Sequence, residues 1–288
     1  MQHYPQGALY VVATPIGNLA DITLRALHVL QTVDVVACED TRHTQTLLRA
    51  YGIEAGSSRL LALHQHNEAE AAQAVLARLR EGQRVAYVSD AGTPAVSDPG
   101  ARLVAAVQAA GFRAVPLPGA SSVITALSVA GCVDTTQPGF VFAGFLPSKA
   151  GERAQAVQAL AAESRAVVLL EAPHRIEALA QALVPLGLRT LTVGRELTKQ
   201  FEEIGSTTAA DFRAWLAAQP NRARGEFALV LHPLAASDAC GEGEGLRVLT
   251  LLLAELPLKT AVRLAAEITG VARNTLYEAA LALKKNEA

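Results

Sequence analysis

The chain has 288 residues, 51% hydrophobic and only 5% aromatic, which excludes a largely disordered polypeptide and suits layered packing of helices on sheets through small side chains. Its 25 basic and 27 acidic residues nearly cancel, at a formal charge of −2, so a polyanionic partner has to be met by a local patch rather than by the whole surface. Three scattered cysteines, Cys38, Cys132 and Cys240, exclude a disulfide framework and a CxxC metal site, and with no apolar run long enough to span a bilayer the expectation is a cytoplasmic protein.

In chain order, Leu9 to Thr14 is a short apolar run that ends in a Pro/Gly turn and leads into the amphipathic segment Leu24 to Val33. The same strand, turn and helix return at Val35 to Glu39 with a helix to Ala50, at Arg84 to Ser89 with Gly100 to Ala110, and at Ala114 to Leu117 with Ser121 to Val129. Four such steps predict a parallel sheet covered on both faces, over residues 1–132. The pattern breaks at Cys132 to Gly139 and restarts at Phe140 to Gly144, which predicts a second α/β domain over 133–234. Its elements are the helices Gly151 to Ala162, Ile176 to Val184 and Ala209 to Ala218, and the strands Ala166 to Glu171, Thr190 to Arg195, Glu202 to Ser206 and Phe227 to His232. The last two strands are short and turn-separated enough to pair antiparallel.

Residues 235–245 read as a linker by their small and acidic composition. Beyond it, Leu246 to Leu256, Lys259 to Ile268 and Asn274 to Lys284 have helical spacing and form a module, 246–288, that resembles a helix-turn-helix, with Asn274 as its last N-cap. Its six basic and four acidic residues leave a small surplus of the sign RNA attracts, and a packing or dimerisation role is the alternative.

Four turns fall where the first-domain strands end, the place at which open α/β sheets build ligand sites. They are Thr14 to Leu19, Glu39 to Arg42, Ser89 to Pro94 and Pro118 to Ser122. Neither G-x-G-x-x-G nor G-x-x-x-x-G-K-[ST] occurs, so the turns lack the two strongest phosphate signatures and suit close backbone approach to a flat, largely neutral ligand. His64 and His66 stand at i and i+2 with no third ligand nearby, so no metal site is expected and the stretch to Glu68 reads as a substrate-facing polar loop or a helix start.

The strings T-P-I-G-N-L, E-D-T-R, S-D-A-G-T-P-x-x-S-D-P-G and P-G-A-S-S resemble the tetrapyrrole methylase superfamily, and within it the branch that methylates ribosomal RNA on ribose 2'-hydroxyls. The likeness continues through Phe142 to Pro147, Glu171 to Arg175, Gly194 to Lys199 and Arg224 to Phe227. It implies a two-domain tetrapyrrole-methylase-like α/β fold (a class III methyltransferase), S-adenosylmethionine as cofactor in the cleft between the domains, a homodimer, and cytidine 1402 of 16S rRNA in the 30S subunit as substrate. It also implies Pro15, Gly17, Ser89, Asp90, Ala91, Gly92, Ala120, Ser121 and Ser122 around the methyl donor, with Phe145 and Leu146 closing the cleft.

A sulfonium already activates its methyl group, so the protein has mainly to align donor and acceptor, with a base or a cation to assist a weakly acidic ribose hydroxyl. Asp40, Arg42, Glu196 and Lys199 are the catalytic candidates, drawn from a wider set with Glu39, Glu171, His174, Arg175 and Glu226; structural ion pairs are their alternative reading. Arg175, Lys199, Arg263 and Arg273 are the candidate contacts to RNA. Two other functions remain open: methylation of a small tetrapyrrole or a diphthamide precursor, and a non-catalytic ribosome-binding factor.

Overall fold

The computed structural model describes residues 3–64, 66–97, 99–132, 139–234 and 242–286. The first unit is a 5-stranded sheet in the order β3-β2-β4-β1-β5, built from β1 (Ala8–Val12), β2 (Val35–Cys38), β3 (Leu60–Ala62), β4 (Val85–Val88) and β5 (Arg113–Leu117). All its pairings are parallel, and β1, β2 and β4 are buried along almost their whole length, which is why they read as continuous apolar runs rather than as alternation. Helices α1 (Leu24–Thr32) and α2 (Thr41–Ala50) cover one face through Val29, Leu30 and Leu48. Helices α3 (Glu68–Arg80) and α4 (Ala101–Ala109) cover the other through Val75, Leu79, Leu103 and Val107.

The sheet has one strand and one helix more than the four expected steps. The three residues of β3 are too short to show a period, and the polar His64 to Glu68 stretch hides the start of α3, which opens at Glu68. Between β4 and β1 the chain order reverses: β1 connects towards β2 on one side, while β4 connects past β1 to β5 on the other. The strand-end loops of β1, β4 and β5 are therefore neighbours, and Thr14 and Gly92 exchange backbone hydrogen bonds at 2.9 and 3.0 Å.

Helix α5 (Ser122–Ala130) leaves the first sheet and packs on the second, where Val123, Ala126 and Ala130 meet Ala166, Val168, Ala228 and Val230. That second sheet, in the order β6-β7-β10-β8-β9, comprises β6 (Phe140–Gly144), β7 (Ala166–Glu171), β8 (Thr190–Arg195), β9 (Glu203–Thr208) and β10 (Phe227–Leu231). Only β6 and β7 run parallel; β10 pairs antiparallel with β7 and β8, and β9 antiparallel with β8, as their short turn-separated segments predict. Helices α6 (Ala150–Ala161), α7 (Ile176–Leu183) and α8 (Phe212–Ala217) close the far face over Leu179, Leu183 and Phe212.

The expected domain boundary falls at 133–138, outside the described residues, as do 235–241 of the expected linker and Cys240. Of the other cysteines, Cys38 is buried and free, with its thiol pushed up to about 11 by burial, whereas Cys132 is only half-buried.

Arg189, at the start of β8, holds this unit shut. Its guanidinium is buried and donates to the carbonyls of His232 (2.7 Å), Leu160 (2.8 Å) and Arg165 (3.0 Å). Arg189→Met strands those carbonyls, so we expect a loss of about 2–4 kcal/mol of unfolding free energy, read from the urea midpoint. An unmoved midpoint would remove Arg189 from the account of stability.

The C-terminal helices α9 (Glu242–Glu255), α10 (Leu258–Thr269) and α11 (Arg273–Asn286) bury Leu249, Val262, Ala265 and Leu276 in a core of their own. Gly270 ends α10 in the left-handed region at φ +74°. Asn274 is not the cap of the last helix: α11 begins one residue earlier, at Arg273, and α9 begins before Leu246, at Glu242.

Candidate active site between the two sheets

Two adjoining cavities open where the strand-end loops of the first sheet face the second. The first, of about 230 Å³, is lined from the first unit by Ile16, Ala91, Ser97 and Ser122, and from the second by Phe145, residues 170–172, Leu197, Lys199 and residues 226–228. The second, of about 360 Å³, lies between the β1 turn (Pro15, Ile16, Gly17, Leu19), the α2 face (His43, Thr46, Leu47, Ala50) and Asp90 and Ala91. Ile16, Ala91, Lys199 and Glu226 belong to both, so they form the shared wall.

Lys199 reaches that wall from the loop after β8. Its Nζ is 2.9 Å from Glu196 Oε1 and 2.9 Å from Glu226 Oε2. Glu196 Oε1 also accepts the Glu226 amide at 2.9 Å, and the Glu196 amide donates to the Glu226 carbonyl at 2.9 Å, so the two loops are laced together. Partial burial alone would lower the Lys199 pKa, but the two carboxylates outweigh it and raise it. Burial alone would raise the Glu196 carboxyl, but the Glu226 amide and Lys199 outweigh it and lower it. Lys199 is thus held as a cation and Glu196 as an anion.

The loop is bought with backbone strain, since Glu196 and Thr198 both sit at positive φ (50° and 66°) without being glycine. Beneath it, the buried Arg195 donates to the carbonyls of Arg224 (2.6 Å), Phe201 (3.1 Å) and Asn221 (3.1 Å). The loop also docks on the first unit: the Asn18 amide donates to Thr198 Oγ1 at 3.1 Å, and a Cβ on Gly17 would collide with the Lys199 side chain.

Of the residues expected around a donor, Pro15, Gly17, Asp90, Ala91, Ser122 and Phe145 line one cavity or the other. Phe145 is turned there by a bulge at Gly144, φ +64°. Ser89, Gly92, Ala120 and Ser121 line neither cavity: Ser89 Oγ donates to the Ala91 carbonyl at 3.2 Å, Thr93 Oγ1 donates to the Ala120 carbonyl at 3.1 Å, and Ser121 occupies the N-cap position of α5. Leu146 turns away into the core of the second unit. Asp90 caps no helix; its Oδ1 accepts the Asp40 amide at 3.3 Å and ties two strand ends together.

The remaining candidates have defined partners. Asp40 is the N-cap of α2, accepting the Arg42 and His43 amides at 2.8 and 3.4 Å, which lowers its pKa, and neither Asp40 nor Arg42 lines either of these two cavities. The Arg42 side chain is 92% exposed. Arg175 is turned inward, its Nε 3.0 Å from Glu171 Oε1 and its Nη2 donating to the Leu146 carbonyl. Arg263 and Arg273 share one carboxylate, Glu267, at 3.1 and 3.3 Å, and both stay largely exposed. Sequence reasoning passed over Ser97, Leu197, Phe227 and Ala228, and the α2 residues Thr46 and Leu47; small or apolar wall residues carry no chemical signature of their own.

The first cavity fits a small nucleoside-bearing ligand: Ala91, Ala172 and Ala228 keep its walls low, Phe145 offers an aromatic face, and a buried acceptor, Glu171 Oε2, is left without a hydrogen bond.

Residues 8–213 match the model of the Tetrapyrrole (Corrin/Porphyrin) Methylases, and residues 241–284 match the RsmI C-terminal HTH domain. The chain is 49% identical over 278 residues to the ribosomal RNA small subunit methyltransferase I of Escherichia coli O157:H7, covering 96% of this chain and 95% of that one. It is also 49% identical to the protein of that name from Pseudomonas aeruginosa, covering 96% and 97%. Among solved structures, a cobalt precorrin-4 methyltransferase shares the fold at TM-score 0.57 and 21% identity, over 80% of this chain and 98% of that one. A uroporphyrin-III C-methyltransferase from Thermus thermophilus complexed with S-adenyl homocysteine shares it at TM-score 0.54 and 16% identity, over 77% and 96%. The chain therefore belongs to the tetrapyrrole methylase family, as an S-adenosylmethionine-dependent methyltransferase of the group named ribosomal RNA small subunit methyltransferase I.

Proposed function

We propose that this methyltransferase modifies the ribose 2'-hydroxyl of cytidine 1402 in 16S rRNA, on the 30S subunit, in the cytoplasm and as a homodimer. The near full-length identity to the named relatives supports the rRNA substrate. The observation that carries the chemistry is Lys199, held as a cation at the wall shared by two cavities. The first cavity takes the donor and the second takes the ribose. When bound, the sulfonium cofactor supplies an already activated methyl group, so the residues here have to orient and desolvate rather than generate a reactive species.

Gly17 and Pro15 let the sugar approach the wall, and the Lys199 ammonium stabilises the oxygen as it loses its proton. A lysine kept protonated is no base. Glu226, whose side chain is 75% exposed and reaches both cavities, takes the hydroxyl proton and passes it to solvent. Glu196 acts through Lys199 as a positioning residue. Asp40 presents α2, and the exposed Arg42 on that helix meets a phosphate of the RNA, as do Arg263 and Arg273 on the C-terminal helices.

Incubating 30S subunits with tritiated donor and mapping the label by nuclease digestion and mass spectrometry should place it on the ribose of cytidine 1402. Label on a base, or on no RNA at all, would contradict the proposal. Because α9 to α11 carry their own core, removing residues 246–288 should leave donor affinity within about twofold and weaken capture of 30S subunits about tenfold or more. Equal capture by the truncated chain would assign these helices to packing instead.

A further inference from the structure

Strand β7 ends on Glu171, 2% exposed, at the wall of the first cavity. Its two carboxylate oxygens differ sharply. Oε1 accepts the Ala172 amide at 2.9 Å and lies 3.0 Å from Arg175 Nε, close enough for charge compensation though not aligned as a hydrogen bond. Oε2 is equally buried and makes no hydrogen bond. Leu170, Leu197, Phe227 and Ala228 also line this cavity, together with the charged Lys199 and Glu226. The Glu171 side chain has no exposed surface, so a ligand meets Oε2 only if the side chain turns towards the cavity; a donor there would supply the hydrogen bond that Oε2 lacks in the free protein.

The donor group has a recognisable character. Arg175 already balances the charge of Glu171, so a second cation is not required; a neutral O–H or N–H of a flat molecule suits a cavity that also carries Leu170, Phe227 and Phe145. We propose that Glu171 Oε2 accepts a hydrogen bond from the nucleoside half of the methyl donor, through a ribose hydroxyl or the exocyclic amine, and so makes the site selective for a nucleoside-bearing ligand. This rests on the donor occupying the first cavity.

The test is calorimetry on the full chain with S-adenosylhomocysteine and with 5'-methylthioadenosine, which keeps the nucleoside and lacks the amino acid. Glu171→Gln can keep the Ala172 bond through its oxygen while turning an amide donor to where Oε2 stood. Both ligands should weaken about tenfold or more in a variant that still melts cooperatively, even though its melting temperature falls with the loss of the charge facing Arg175. Weakening confined to S-adenosylhomocysteine would move the contact to the amino-acid half and overturn the assignment. Unchanged affinities, with or without a lower melting temperature, would leave Glu171 a purely structural residue and overturn it too. Ala91→Phe, at an exposed rim position, separates the two levels: it should abolish binding of both ligands. If Ala91→Phe binds like the parent chain, the placement of the donor falls and the proposal with it. If Ala91→Phe loses binding while Glu171→Gln does not, only the role of Glu171 falls.

Discussion

Replacing Lys199 by methionine should lower kcat for methyl transfer to 30S subunits by about 10²- to 10³-fold while changing donor affinity by less than about threefold. Methionine keeps most of the side-chain length and removes the charge together with the N–H groups that bond Glu196 and Glu226. The cation lies 2.9 Å from each of two carboxylates, at the wall common to both cavities, and nothing else among the described lining residues of either cavity supplies a lysine or arginine there.

The pH dependence follows from the directions of the shifts. The Lys199 pKa is raised, so the stability it contributes is complete below the ordinary lysine value and is lost only as pH climbs through the raised one. The Glu196 pKa is lowered, so its contribution is complete above the ordinary carboxylate value and is lost as pH falls through the lowered one. Between those limits the pair should be fully charged, and the activity difference between parent and Lys199→Met should stay constant from about pH 6 to about pH 9. A difference that vanished on the acid side of that window and grew on the alkaline side would mean that Lys199 works as a neutral base, against the role given to it here.

Gly17→Ala should cost activity far more than stability. Gly17 is exposed and its φ is not in the left-handed region, so alanine meets no backbone penalty there. The added methyl would overlap the Lys199 side chain and stand 2.9 Å from Thr198 Oγ1, the atom that receives the Asn18 amide. Relief requires Lys199 to leave the wall or the β8–β9 loop to lift from the first unit. We expect kcat to fall about 10- to 100-fold with unfolding free energy changed by less than about 1 kcal/mol. A variant with full activity would show that the approach of these two loops is incidental.

The sequence made the strand-end turns of the first sheet legible, because glycine and proline punctuate three of the four and each follows a short apolar run. Of the positions there that the family resemblance implied, Pro15, Gly17, Asp90, Ala91 and Ser122 line the cavities, as Phe145 does from the second unit, whereas Ser89, Gly92, Ala120 and Ser121 line neither. The opposite wall was harder to read. Lys199, Glu196 and Glu226 stood among the candidate residues, but Lys199 meets Glu226 only because β8 and β10 are neighbours, a pairing that separates the two by 27 residues in the chain. Leu197 and Ala228 are ordinary strand-end residues until α5 packs across them.

Charge patterns also misdirect when geometry is missing. Arg175 follows Pro173 and His174 in a turn and suggests an outward phosphate contact, yet it folds inward on Glu171 and the Leu146 carbonyl. Asp40 and Arg42 look like a catalytic pair, and Asp40 is the helix cap that Asp before a helix start usually is.

The central claim is that donor and ribose meet across Lys199, one in each cavity, and a structure of the chain with bound S-adenosylhomocysteine tests it most directly. The account predicts the ligand between Ala91, Ser122, Phe145 and Ala228, with its sulfur directed at the Lys199 wall. A ligand seated instead against His43 and Thr46, or away from both cavities, would contradict it.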